Sequence, residues 1–316
     1  MQIEVAAGRY VVAVSGGVDS VVLLHALVQK YFKSQTNPKS KIQNANVQHA
    51  PSNVQLTVAH FDHGIRPDSK ADALFVEQLA KKHDLPFESE RVELGEGASE
   101  AAARTARYEF LKRVQKQYKA QAIITAHHQD DVLETIIINW LRGTKSRGLS
   151  SLKDTAEIKR PLLGWSKQQI RKYARLHNVE WREDSTNQDE TYLRNYVRHR
   201  IMPKLGDVQR TKLLAHSQQA LLLNHAIQGG VSECIVRYST ADSISRPQYQ
   251  ALPVEVSREF LAEWLRLYTS ATITTKTLYR LDGAIRNGRN NSLVDIARGQ
   301  SFKLEKECVR LIANQA

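Results

Sequence analysis

The chain has 316 residues, 41% hydrophobic and 25% charged, the composition of an ordinary soluble protein long enough for two domains. No apolar run reaches the length of a membrane span and the N-terminus lacks the charged-then-apolar form of a signal peptide, so a cytoplasmic protein is expected. An excess of 45 Lys and Arg over 33 Asp and Glu, formally +12, is the footprint of a protein that meets a polyanion.

Tyr10 to Val14 is a short β-branched run suited to a strand buried on both faces, and Val21 to Val28 is apolar enough for a packed helix. Between them lies Ser15-Gly16-Gly17-Val18-Asp19-Ser20, on a strand-to-helix turn. Two glycines let the backbone turn tightly and approach a ligand, while free N–H groups and the positive end of the next helix attract an anion. Ser15 and Ser20 add hydroxyl donors. Asp19 fits such a place only if a cation stands between it and the phosphates, so the turn implies Mg2+ with a polyphosphate. The G-x-x-x-x-G-K-[ST] pattern of the other common phosphate loop is absent from this turn, which argues against γ-phosphoryl transfer.

Lys33 to Asn53 is polar, carries Pro38 and Pro51, and reads as a surface insertion. Val54 to His60 is the second strand. Phe61 to Arg66 follows it, then a helix from about Ser69 to His83. This β-α-β-α opening predicts a doubly wound parallel α/β sheet, with ligands beyond the carboxyl ends of the strands. His60, Asp62, His63 and Arg66 fall at that end. A helix from about Ser99 to Tyr118 carries Arg104 and Arg107 on one face. Ala122 to Thr125 is a further strand, running into His127, His128, Asp130, Asp131 and Glu134 at the start of another helix. Asp131 and Glu134 share a face. A negative first turn would complement the helix dipole, but two histidines and three carboxylates exceed what capping needs and predict a site.

Arg142 to Ser151, with Lys145 and Arg147, reads as a basic loop able to close over a reaction. Arg160 to Leu163 precedes a helix opened by the capping pair Ser166 and Gln169. Trp181 to Asn187 follows. The run Arg194 to Arg200 places basic side chains around Tyr196, as phosphate and base contacts require. From about Gly206 the character changes: helices at roughly Val208 to Tyr238, Pro253 to Tyr268 and Thr274 to Arg286 precede strands at Ser292 to Ala297, Ser301 to Glu305 and Cys308 to Ile312. The expected division is a catalytic domain of residues 1–206, its part from about 150 helical, and a smaller α+β domain of residues 207–316.

The full S-G-G-x-D-S turn resembles the PP-loop of N-type ATP pyrophosphatases, which split ATP between the α and β phosphates and leave an adenylated substrate. Together with His60 to Arg66, Ala103 to Tyr108, Thr125 to Thr135, Arg142-Gly143, Arg160 to Leu163, Asp184 to Asn187, Arg194-Asn195 and Arg198, it is similar to the tRNA(Ile)-lysidine synthetases over about Tyr10 to Leu205. Val132 stands where that family often has Gln, and Tyr196-Val197 replaces a more basic pair.

The resemblance implies conversion of the wobble cytidine of a CAU-anticodon tRNA(Ile) to lysidine with ATP, Mg2+ and free L-lysine. ATP would lie on Ser15 to Ser20 with His60 and Arg66, and Asp19 would hold the metal. Asp131 and Glu134 would take the lysine ammonium, and Arg107 and Arg198 would neutralise developing phosphate charge or orient the nucleotide. His127 would accept the amine's proton. Arg142, Lys145, Arg147, Arg194, Arg200 and the C-terminal domain would contact tRNA; a homodimer is left open. The rivals are a PP-loop tRNA thiolase and a module that only senses ATP. A thiolase would want a cysteine near the phosphate turn, yet the two cysteines of the chain are Cys234 and Cys308.

Overall fold

The computed structural model describes residues 3–32, 53–64, 69–93, 100–144, 152–182, 193–297 and 299–313. Most of the expected 33–53 insertion, together with Arg66, Lys145, Arg147 and residues 183–187, lies outside them. The chain forms two compact units, residues 1–218 and 219–316.

The first unit is built on five parallel strands in the order β3-β2-β1-β4-β5. These are β1 (Gly8–Ala13), β2 (Val54–Asp62), β3 (Phe87–Arg91), β4 (Ala122–Ile124) and β5 (Ile158–Lys159). Helices α1 (Val18–Tyr31), α2 (Ser69–Lys82), α3 (Glu100–Gln117), α4 (Gln129–Leu141) and α5 (Lys167–Leu176) flank them. Adjacent residues of one strand feed opposite cores. Val12, Val58 and Ile124 pack with Leu24 and Leu27 of α1. Val11, Ala59 and Ile123 pack with Phe110 and Leu111 of α3. Burial on both faces is why the central strands read as continuous apolar runs, and the expected doubly wound sheet is what forms.

β3 and β5 carried no sequence signal. The segment Phe-Glu-Ser-Glu-Arg is an edge strand in which no residue is fully buried, and β5 has two residues. Their presence fixes the topology: the chain runs from β1 outward to β3, then returns to β4 on the other side of β1. The point where strand order reverses therefore lies between β1 and β4, where open α/β sheets bind ligands.

The composition change near Gly206 coincides with the start of α6 (Asp207–Tyr238). The second unit adds α7 (Arg246–Ala251), α8 (Val254–Tyr268), α9 (Thr275–Asn287) and an antiparallel sheet ordered β6-β9-β8-β7. Its strands are β6 (Ser243–Ser245), β7 (Ser292–Ala297), β8 (Gln300–Leu304) and β9 (Cys308–Ala313). Trp264, Phe260, Tyr249 and Phe302 form its core, each fully buried. The expected meander gains β6, three residues too short to show a period. No described helix is long and apolar enough to cross a membrane.

Candidate active site

The turn after β1 is shaped by its own side chains. Gly16 sits at φ +92°, a conformation open to glycine, and its carbonyl accepts from Arg182 N at 3.0 Å. Gly17 is the N-cap of α1 and lacks a positive φ; a Cβ there would stand 3.6 Å from Ser15 Oγ. Ser20 Oγ donates to Gly17 O at 3.0 Å and accepts from Ser15 N at 3.1 Å, so this hydroxyl braces the turn. Ser15 is the exposed serine, while Val18 points into the core. His60 Nδ1 donates to the carbonyl of Val14 at 2.9 Å. It is 3% exposed and its pKa is lowered by burial. In the structure His60 fixes the end of β1.

The second half of the site is the start of α4, beyond β4 and so beside β1. His128 is its N-cap: His128 N donates to Asp131 Oδ2 at 2.9 Å, and Asp131 N donates back to His128 Nδ1 at 3.4 Å. This reciprocal box leaves Nε2 facing Asp19 Oδ2 at 3.7 Å. Burial opposes a charged imidazole, but Asp19 and Asp131 outweigh it and raise the His128 pKa.

Each carboxylate of that first turn is partnered. Asp130 accepts from Lys167 N at 3.0 Å and from Arg210 Nη1 at 3.1 Å. Asp131 accepts from Arg194 Nη2 at 3.1 Å. Glu134, fully buried, accepts from Arg194 Nε at 3.0 Å and from Arg198 Nε at 2.7 Å. Arg194 and Arg198 reach it from a helical segment, 193–204, whose middle (Val197–Ile201) is a π-helix, a form common at functional sites. Arg194, expected on the tRNA surface, is thus drawn inward: two buried carboxylates require cationic partners and Arg194 is one of them. In this structure Arg194 and Arg198 occupy the oxygens of Asp131 and Glu134, the carboxylates expected to take the lysine ammonium. Arg142 and Arg200 are exposed.

His127 Nδ1 is hydrogen-bonded to Thr125 Oγ1 at 2.8 Å. Burial, with the charges of Arg160, Arg107 and Arg194, pushes its pKa down to about 3 against the pull of Asp131. A group held so low is poorly matched to accepting a proton from an ammonium, which works best near neutral pH. Arg107 and Arg104 lie over the Tyr108 ring, at 5.4 and 4.9 Å. Burial lowers the Arg107 pKa, and Arg104 and Arg194 lower it further.

The residue that sequence reasoning missed is Lys167, the first of α5. Its Nζ donates to both oxygens of Asp19, at 2.7 and 2.6 Å. Only the capping pattern of Ser166 and Gln169 marked this place in the sequence, and it says nothing of the intervening lysine. Burial would raise the Asp19 pKa, but His128 and Lys167 hold it down to about 2. Among the described residues no group of three or more His, Cys, Asp or Glu could hold a metal alone. Asp19 nonetheless suits an ion that takes most of its ligands from phosphate and water, being ionised and already gripping a cation through both oxygens.

A parallel sheet with a glycine turn at its switch point, facing a cluster of carboxylates and arginines, defines a nucleotide-binding α/β domain built for phosphates. The profile of the PP-loop domain family matches residues 2–205, and the chain belongs to that family. It is similar to the tRNA(Ile)-lysidine synthase of Thermotoga maritima, 37% identical over 207 residues, covering 63% of this chain and 46% of that protein. It is also similar to the tRNA(Ile)-lysidine synthase of Exiguobacterium sibiricum, 32% identical over 266 residues, covering 83% of this chain and 58% of that protein. The chain thus spans about half the length of these curated relatives. Among solved structures, the U34-tRNA thiolase NcsA from Methanococcus maripaludis superimposes with a TM-score of 0.52 at 17% identity, covering 69% of this chain and 73% of that one. At that identity the likeness concerns the fold.

Proposed function

We propose that this chain joins free L-lysine to C2 of the wobble cytidine of a CAU-anticodon tRNA(Ile), using ATP. Cytidine O2 attacks the α-phosphate, pyrophosphate leaves, the ε-amine of lysine attacks C2, and AMP departs. The observation that carries this reading is the meeting of the Ser15–Ser20 turn with the Asp131–Glu134 cluster at the switch point, in a PP-loop chain similar to proteins named for that reaction.

The turn receives the phosphates through backbone N–H groups and Ser15. Asp19 would hold Mg2+, which when bound lowers the charge on the leaving pyrophosphate. Arg107 faces the developing phosphate charge. Asp131 and Glu134 remain the carboxylates proposed for the lysine ammonium, Arg194 and Arg198 holding that place in the structure and fixing the geometry. Arg142, beside the 68% exposed Trp140, offers phosphate and stacking contacts to the tRNA. The second unit, with exposed Arg237, Lys276, Arg289 and Lys306, is proposed as a further tRNA surface. We place the reaction in the cytoplasm.

The test is incubation of the purified protein with ATP, labelled lysine and a CAU-anticodon transcript, followed by nuclease digestion and mass analysis of the wobble nucleoside. Lysine on that nucleoside is the expected result. Sulfur or ammonia incorporated in its place would overturn the lysine assignment and leave the phosphate turn standing.

A further inference from the structure

The six residues Ser15 to Ser20 contain no Lys or Arg and one carboxylate. Phosphate loops of the G-K-[ST] type carry their lysine within the motif. Here backbone N–H groups and hydroxyls face a polyanion while Asp19 adds a negative charge, so a cation must come from elsewhere in the chain. The ammonium of Lys167 is in the turn, on both oxygens of Asp19. Its backbone is anchored through Lys167 N to Asp130 Oδ1 at 3.0 Å, so the four-carbon stem can swing about a fixed base. Its side chain is 33% exposed and that of Asp19 26%, so both are reachable from solvent.

We infer that Lys167 is the pyrophosphate-binding residue of this site, contesting Asp19 with the metal ion and bonding the β and γ phosphates once the metal holds that carboxylate. The inference rests on the ATP reading above and names a residue that reading does not include. A lysine serving only to pair Asp19 would add a little stability and nothing else. A lysine that changes partners leaves two further marks: it weakens metal binding to Asp19 before phosphate arrives, and it strengthens phosphate binding afterwards.

The experiment uses the full chain with Mn2+, counted by electron paramagnetic resonance, and inorganic pyrophosphate, titrated by calorimetry with Mn2+ present. In Lys167→Met, Mn2+ without pyrophosphate should bind about two- to fivefold more tightly, the scale of a partly exposed ion pair. Pyrophosphate should bind at least about tenfold more weakly, the scale of a charge-assisted hydrogen bond. Lys167→Arg should recover most of the pyrophosphate affinity, which separates a lost charge from a disturbed fold. Adding Asp19→Asn to Lys167→Met should abolish the gain in Mn2+. Unchanged pyrophosphate affinity in Lys167→Met, or Mn2+ binding that does not tighten, overturns the inference. A wild-type protein that binds neither pyrophosphate nor ATP overturns the phosphate-turn reading itself.

Discussion

Arg198 grips Glu134 with two nitrogens, Nε at 2.7 Å and Nη2 at 3.0 Å, and the carboxylate between them is 2% exposed. A fork of that geometry on a buried acceptor is costly to break from one side, because the remaining charge keeps its desolvation and loses its partner. Glu134→Gln should therefore lower stability by about 2 kcal/mol or more, a Tm decrease of roughly 4–8 °C, and impair lysine transfer. Glu134→Gln with Arg198→Gln should be less unstable than the sum of the single variants. Thermal melts of the four proteins decide it, and strict additivity would remove the fork from the stability argument.

Asp19 is held to about 2 in the folded chain against an ordinary 3.8. A carboxyl whose folded pKa is depressed contributes stability that is present above its unfolded pKa and is lost as pH falls through the folded one. The contribution is on the order of 2 kcal/mol and should fade between about pH 4 and pH 2. Denaturant unfolding of wild type and Asp19→Asn across that range should show the two curves converging. A constant gap would mean that the Lys167 and His128 contacts do not act through the Asp19 charge. At neutral pH Asp19→Asn should also abolish pyrophosphate release from ATP.

His127 acts in the same direction as Asp19, in a higher pH window. Its pKa is depressed to about 3, so between about pH 6.5 and 3 the unfolded chain binds a proton that the folded chain refuses, and acidification through this window costs stability. His127→Gln should lose less stability than wild type on going from pH 7 to pH 4, measured by chemical denaturation at each pH. The same variant should keep the acid limb of the pH–rate profile of lysine transfer, the limb that a proton acceptor sets. Loss of that limb would restore His127 as the proton acceptor.

Binding of tRNA should weaken steeply with salt, since each phosphate contact releases condensed counterion. Arg142→Gln and Arg200→Gln, both on exposed positions, should each lower the slope of log K against log salt by about one unit with little change in Tm. Arg194→Gln should lower Tm as well, because its partners Asp131 and Glu134 are buried. Fluorescence titration at several salt concentrations separates the two classes. A slope near zero for the wild type would remove the polyanion from the account.

What could be read from the sequence followed the strength of local patterns. Val11, Val12 and Val58 announce buried strands, and the glycine turn announces itself because Gly16 needs its φ. The sheet's edges stayed hidden, since β3 has charged residues at three of its five positions. At the site, the sequence displayed which side chains were chemically rich but not which would neutralise one another. Arg194 and Glu134 lie 60 residues apart, and only the folded chain shows that a basic run looking like a nucleic-acid surface is partly consumed by the acidic turn of α4. Lys167 escaped for the same reason: its significance is 148 residues away, at Asp19.

The sheet of the second unit closes by pairing β6 with β9, Ile244 opposite Val309, although the helices α7, α8 and α9 and two strands are made in between. On the ribosome, all five strands of the first unit are complete once Lys159 has emerged, and its sheet can assemble early. Ser243–Ser245, by contrast, must wait for its sheet partner until Cys308–Ala313 is synthesised. A nascent chain stalled before Cys308 should thus carry a protease-resistant first unit and a second unit that is still digested, with protection arriving abruptly when the last strand clears the exit tunnel.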